Sequence, residues 1–276
     1  IKQNEDLKKV IDSPDFQYIS KTASISASRS SSAELHKNLS SLITQRINNN
    51  DEDLKRIVYD EAISTIGKLT TDQLKIVTLC YLLKYTSYGG IVSWKAYKKY
   101  LGSHIKPFLG FKNTNAEFQH IEYAGCGSIG IGSWDVLNIH RQQYSFLFLN
   151  LVEKEQIDSL NFSDEIKKEV VALDQKEDKY FIRFKNKTDL ENYIKEKKID
   201  EEIGKKFVSV YESHIKNAED IKKKIIEETS VGKELLVLWE ESNLKHLSLT
   251  SVGITIGASY FEQITGEKID ISIWIN

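Results

Sequence analysis

Methionine is absent from this 276-residue chain, and proline and cysteine occur only twice each. So little proline leaves long helices uninterrupted over most of the sequence. The two cysteines, Cys80 and Cys126, stand in different segments with no C-x-x-C spacing. That excludes a disulfide framework and a cysteine-built zinc site, and it points to a reduced, cytoplasmic setting. Long apolar runs are missing as well. The longest uncharged stretch, His246 to Phe261, is too short and too rich in Ser, Thr and Gly to span a bilayer, and no basic-then-apolar leader opens the chain. No membrane association is expected. An excess of either charge is also lacking: Lys+Arg 38 against Asp+Glu 40 gives a net charge of -2, so any attraction to nucleic acid must be local. The chain opens at Ile1 without a Met, which raises the expectation of a natural start upstream or of methionines lost from the written sequence.

What is present is ordinary globular material, 40% hydrophobic and 28% charged. A chain of this size buries a core without help from disulfides or metal, and no cofactor or metal is expected. From Asn4 to Thr70 the pattern reads as four helices with polar breaks, Pro14 in a first turn and Asn48 to Asp51 as punctuation. The Ser-rich stretch from Ser20 to Ala33 reads either as a flexible linker or as a small-residue helix. After Thr70 or Thr71 a strongly apolar helix runs through Leu74, Ile76, Val77, Leu79, Leu82 and Leu83, the expected centre of the N-terminal core. A helix from Ser93 stops near Pro107, and Asp135 to Leu149 gives another apolar run.

The character changes at about Asn161, where Lys and Glu begin to alternate densely. Ile203, Phe207, Val210, Tyr211, Ile215, Ala218, Ile221 and Ile225 form one stripe, which predicts a single amphipathic helix of roughly 30 residues, about 45 Å long. Short strands are expected at Tyr180–Phe184, His246–Leu249 and Ile269–Ile275, the second leading into a small-residue helix ended by Gly266. The fold class is therefore mainly α: a multi-helix bundle with a few short β-strands and one long amphipathic helix in the C-terminal half. The expected division is an N-terminal helical domain, 1–160, and a charged helical region with short strands, 161–276.

Few constellations carry chemistry. Gly125-Cys126-Gly127-Ser128-Ile129-Gly130 fits G-x-G-x-x-G, but no strong βαβ unit surrounds it and Gly132 and Ser133 would break the helix that should follow, so a tight glycine turn is the favoured reading. Cys126 with His120 or His140 forms a nominal thiol–imidazole pair, against which stands a packed small hydrophobe. Asp53-Leu54-Lys55 suits part of a nuclease site but lies on a charged helix. Arg29 and His36, with six residues between them, resemble the Arg-x(4–6)-His motif of the HEPN ribonucleases, and they are the catalytic candidates for acid–base cleavage of RNA.

The segment from Gln73 to Ala116 contains no acidic residue but seven lysines. Lys95, Lys98 and Lys99 interleave with Trp94, Tyr97 and Tyr100, the composition of a sequence-tolerant nucleic-acid surface. The competing reading makes Trp94, Tyr97 and Leu101 one core-facing helical stripe, with the lysines neutralised from elsewhere.

Asp15-Phe16-Gln17, the span Leu54 to Tyr85 with Lys68-Leu69-Thr70-x-x-Gln73-Leu74, the turn Gly125 to Ser128, Leu249-Thr250-Ser251-Val252-Gly253 and the ending Ile271 to Ile275 together resemble an uncharacterised bacterial family known only by locus tags. The Leu-Thr-x-x-Gln-Leu and Leu-Thr-Ser-Val-Gly segments are more distantly similar to abortive-infection proteins of the Abi-alpha type. These resemblances imply a fold and a bacterial setting, and no catalytic residue. The expected function is a non-enzymatic interaction or sensor module in phage defence, acting as a homo-oligomer or on a protein partner. The alternative is a metal-independent HEPN-like ribonuclease or nucleic-acid-binding effector.

Overall fold

The computed structural model describes residues 8, 10–48, 53–91, 93–271 and 274, with the side chain of Asp53 left aside. The chain is mainly α, and its strands are short. It forms two compact units, each assembled from separated stretches: the first from residues 1–86, 99–134 and 234–276, the second from 87–98 and 135–233. Residue 160 lies inside the second unit, so the units do not follow a single cut in the sequence.

Helices α1 (Pro14–Ser28), α2 (Ala33–Asn48) and α3 (Asp53–Ile66) open the first unit. The serine-rich stretch is therefore helical to Ser28 and breaks only at residues 29–32. Helix α4 (Thr71–Lys84) starts at a complete capping box, in which the Thr70 hydroxyl accepts from Gln73 N and the Gln73 side chain accepts from Thr70 N. Nearly the whole of its surface is buried, which is why its apolar residues are not confined to one stripe. Helix α5 (Trp94–Tyr100), which begins in the second unit and enters the first at Lys99, passes into a π-helical turn, Leu101–Ile105, and stops at a 3-10 turn that contains Pro107. Helix α6 (Asn115–Tyr123) leads to β1 (Gly127–Ile129).

In the second unit come α7 (Val136–Gln143), α8 (Lys154–Asp158), α9 (Asp164–Val170), the antiparallel hairpin β2 (Val171–Asp174) and β3 (Lys179–Ile182), α10 (Lys187–Glu196), α11 (Glu201–Ser213) and α12 (Ala218–Glu228). Their core gathers Val152, Ile157, Leu160, Val170, Ile182, Leu190, Phe207 and Tyr211. The single long helix is corrected to two. The stripe from Ile203 to Ile225 keeps its spacing, but residues 214–217 leave the helix: Ile215 bridges to Leu149, Lys216 N donates to the Phe148 carbonyl (2.8 Å), and the Asn217 side chain caps α12 by accepting from Asp220 N. Asn217-x-x-Asp220 was the signal for that second start.

Helix α13 (Ser230–Glu241) contains the last passage between units, and β4 (Leu247–Leu249) and α14 (Ser251–Thr265) complete the first. Thr250 caps α14 and Gly266, at φ 77°, ends it in the left-handed conformation. Helix α14 packs on α4, α3 and α2, burying Ile254, Ile256, Tyr260 and Phe261. Residues 269–271 are not a strand, and residues 272, 273 and 275 of the expected strand lie outside the described residues, as do 49–51 of the expected punctuation.

Candidate functional site

Two sequence motifs meet in the first unit. Strand β1 pairs antiparallel with β4 in the register Gly127↔Leu249, Ser128↔Ser248, Ile129↔Leu247. The start of α14 then presses on the carbonyl of Cys126, which accepts from Thr250 N (3.1 Å), while the Thr250 hydroxyl donates to the Gly125 carbonyl (2.7 Å). A Cβ on Gly253 would stand 1.9 Å from the Cys126 oxygen, and one on Gly127 would stand 2.7 Å from the Ser248 oxygen. Of the glycines of G-x-G-x-x-G, Gly127 is thus explained by close backbone approach and Gly125 by its left-handed φ of 77°, and a carbonyl stands where a phosphate would need free N–H donors. Burial pushes the Cys126 thiol up to about 12, so it stays protonated. His120 Nδ1 bonds Gln73 (3.1 Å) and His140 Nδ1 bonds the Tyr97 hydroxyl (2.6 Å), so each imidazole has a partner other than the thiol.

Beyond β1 the chain forms a loop, Gly130 to Trp134, that is fixed at both ends. Gly130 N donates to the His246 carbonyl (3.0 Å) and Trp134 N to the Lys245 carbonyl (2.9 Å). His246 Nδ1 donates to the Gly132 carbonyl (3.0 Å) and Trp239 Nε1 to the Trp134 carbonyl (2.9 Å). Beneath it, the Lys84 ammonium donates to the carbonyls of Leu247 (2.6 Å) and Lys245 (3.1 Å) and lies over the rings of Trp134 and Trp239 at 5.5 and 5.3 Å. Burial holds the Lys84 pKa below the usual lysine value. On this clamped base Ile131 is fully exposed and Trp134 is 49% exposed. Tyr123 is exposed too, next to Glu122, whose carboxylate accepts from Ile129 N (3.1 Å).

The π-helical turn holds a buried imidazole. His104 is stacked between Tyr100 and Phe261, and its ring nitrogens bond the Ser103 hydroxyl (2.7 Å) and the Glu267 carboxylate (3.0 Å). A serine–histidine–glutamate order is present, but the Ser103 hydroxyl also donates to the Lys99 carbonyl (2.9 Å), as helical serines do.

The residues singled out from the sequence are placed as follows. Arg29 and His36 are both exposed, in the break before α2 and in its first turn, and no hydrogen bond joins them among the described residues. His36 Nε2 faces the carbonyls of Ala27 (3.0 Å) and Ser30 (2.9 Å), which makes it the donor nitrogen. Tyr97 and Tyr100 are buried, a correction to their reading as stacking platforms: the helical period that brings them together points them inward. Trp94 stacks on Tyr97 at 5.1 Å, donates through Nε1 to Glu228 and carries the Lys224 ammonium 4.4 Å from its ring centroid. Lys98, exposed like Lys95 and Lys99, pairs with the same Glu228 (3.8 Å). Lys55 is only 8% exposed on α3, unlike a residue of a solvated charged helix.

A family model described only as ":-like" matches residues 1–275. The chain belongs to that family. No curated protein and no solved structure matches it. The family match extends over the stretch that carries the motifs of the sequence resemblance, and two of those motifs, at Gly125 and at Leu249, are the strands and turn of the joint described above.

Among the described residues no group of three or more His, Cys, Asp or Glu is placed to hold a metal ion, and no helix is long and apolar enough to cross a membrane. The Lys84 clamp was not visible in the sequence. Its partners come from Trp134, Trp239, Lys245 and Leu247, and the only local sign was a lysine closing an otherwise apolar helix.

Proposed function

We propose that this chain is a non-enzymatic interaction module that grips a protein partner, or a second copy of itself, through the loop Gly130 to Trp134. The observation that carries the reading is a fully exposed Ile131 on a loop with no freedom to tuck it away. Burying a side chain of that size against a partner contributes about 1.5–3 kcal/mol, and a clamped loop loses little further entropy on binding. Trp134 beside it supplies the amphipathic contact favoured at interface centres. The setting in phage defence rests on the likeness of the Leu-Thr-Ser-Val-Gly segment to abortive-infection proteins.

The test is Ile131→Asp. Stability should change by less than about 0.5 kcal/mol, because the side chain has no packing to lose. Association measured by sedimentation should fall at least about tenfold in this variant, and a photo-crosslinking residue placed at position 131 of the otherwise unchanged chain should capture a partner. A wild-type chain that sediments as a monomer and crosslinks to nothing at position 131 overturns the reading. The ribonuclease alternative has less to support it, since Nε2 of His36 donates to backbone carbonyls rather than facing Arg29.

A further inference from the structure

A cavity of about 480 Å³ opens in the second unit, lined by α7, the start of α10 and the end of α11. Its size falls in the lower part of the ~300–1,000 Å³ range of small-molecule sites. Helix α7 contributes Asn138, Arg141 and Gln142, which their i, i+3, i+4 spacing sets on one face. Ser145 forms the floor. It is 2% exposed, and its hydroxyl bonds the Lys185 carbonyl (3.0 Å) and the Tyr211 hydroxyl (2.7 Å), so the floor makes no polar demand of its own.

The charges in the wall are Arg141, Lys187 and Glu212. Lys187 and Glu212 answer one another at 2.7 Å, and Glu191 approaches Lys187 from α10 (3.8 Å). Arg141 is left over. Of the five arginines in the chain, Arg46 and Arg56 pair with Asp15, and Arg29 and Arg183 are exposed. Arg141 alone is partly buried with neither a hydrogen bond nor an ion pair among the described residues. A guanidinium cannot shed its proton, so a partly desolvated one keeps a charge that water serves poorly. Its place in the last turn of α7 relieves part of that cost through the helix dipole, but no acceptor among the described residues meets its fork of donors.

The neighbouring groups are donors as well. Asn186 uses its side-chain oxygen to cap α10, accepting from Asp189 N (2.8 Å), which leaves its NH2 for whatever enters. The side chains of Asn138, Gln142 and Thr188 have no partner among the described residues. Donors gathered around one unanswered cation select an oxyanion. They outnumber what the two oxygens of a carboxylate can accept, whereas a phosphoryl group offers three. Ile215 is the only apolar side chain among the described lining residues, and no ring is present to stack a nucleobase. The Lys187–Glu212 pair and the amides both donate and accept, as the hydroxyls of a sugar require. We propose that the cavity binds the phosphate monoester of a small sugar or polyol, with its phosphoryl oxygens on the Arg141 guanidinium and its hydroxyls toward Glu212.

The experiment is calorimetric titration of the intact chain with glucose 6-phosphate and glycerol 3-phosphate, beside inorganic phosphate, acetate and glucose. At least one of the two esters should bind one-to-one and more tightly than inorganic phosphate, while acetate and glucose at ~10 mM give no heat. Arg141→Gln should weaken ester binding about tenfold or more, and Arg141→Lys should recover only part of it, because an ammonium lacks the planar fork. Glu212→Gln, at an exposed position, should narrow the preference for ester over inorganic phosphate, and it carries the test should Arg141→Gln fail to fold. Overturning results are no ester binding at ~10 mM, acetate or glucose binding as well as the esters, inorganic phosphate binding as tightly as either, or affinities unmoved in the variants. Ile131→Asp should leave the titration unchanged, so the loop and the cavity stand or fall separately.

Discussion

The first unit closes where backbones touch, Gly253 on Cys126 and Gly127 on Ser248, and around a guanidinium with no exposure, Arg46, which bonds Asp15 and Asp60 at 2.8 Å each. The second closes on a smaller apolar core ringed by exposed pairs such as Lys205–Glu201, Lys206–Glu202 and Lys197–Glu169. Pairs of that kind contribute about 0–1 kcal/mol each and tolerate rearrangement, whereas a glycine contact or a buried guanidinium has one geometry. All the motifs behind the family resemblance, from Asp15-Phe16-Gln17 to the segment ending at Ile275, belong to the first unit. Recognisable sequence gathers where packing leaves no alternative, and the Lys/Glu-rich stretch is free to read as anonymous.

The sharpest way to break this contrast is Gly253→Ala. The new methyl group would overlap the Cys126 oxygen, and that oxygen cannot retreat without losing the bond from Thr250 N and the β1–β4 pairing. The expected loss exceeds about 3 kcal/mol, beyond ordinary overpacking because the obstacle is backbone. Gly132→Ala, where a Cβ meets nothing within 4 Å, should leave stability unchanged or slightly raised through the unfolded chain. Chemical denaturation of the two variants decides the matter, and equal midpoints would mean that the joint is not what holds the unit closed.

Next in size is Arg46→Met. Asp15 and Asp60 would lose their shared partner, but side-chain exposures of 43% and 26% let water reach them. The cost should therefore be about 2–3 kcal/mol, below that of breaking a fully buried pair. The Asp15 carboxyl, held below its ordinary value chiefly by the Ser13 hydrogen bond and also by Arg46, should titrate higher in the variant, which carboxylate NMR would report. An unmoved Asp15 together with unchanged stability would place Arg46 among the dispensable pairs typical of the second unit.

How much was readable follows the same division. Helix α4 announced itself through Thr70, Gln73 and its apolar density, and α14 through Thr250 and Gly266, because caps are local chemistry. The break at residues 214–217 was hidden because the apolar spacing runs through it, leaving only the short cap at Asn217 to mark it. Tyr97 was legible as core from the period it shares with Trp94 and Leu101, yet the local excess of lysine argued the other way for it and for Tyr100, and tertiary partners such as Glu228 do not appear in a local charge count. The Lys84 clamp and the cavity beside Arg141 are assembled from distant segments, so neither leaves a pattern in any one window of sequence.

The smallest effect concerns the second unit, where one rigid feature does exist. His140 is buried against Tyr97 and Tyr144, and burial pulls its pKa from 6.5 down to about 4. Its folded-state pKa is depressed, so the unfolded chain binds the proton first. The stabilising contribution is then complete above about pH 6.5 and is lost as pH falls from there toward 4. Between pH 7.5 and 5.5 the loss from this one residue should be about 1.4 kcal/mol, since each pH unit in that window withdraws at most ~1.4 kcal/mol. Denaturation of wild type and His140→Gln at both pH values isolates the term, because every other titrating group is common to the two proteins. If the variant loses as much stability as the wild type on acidification, the Tyr97–His140 bond is not a fixed point, and the second unit is held by its apolar core alone.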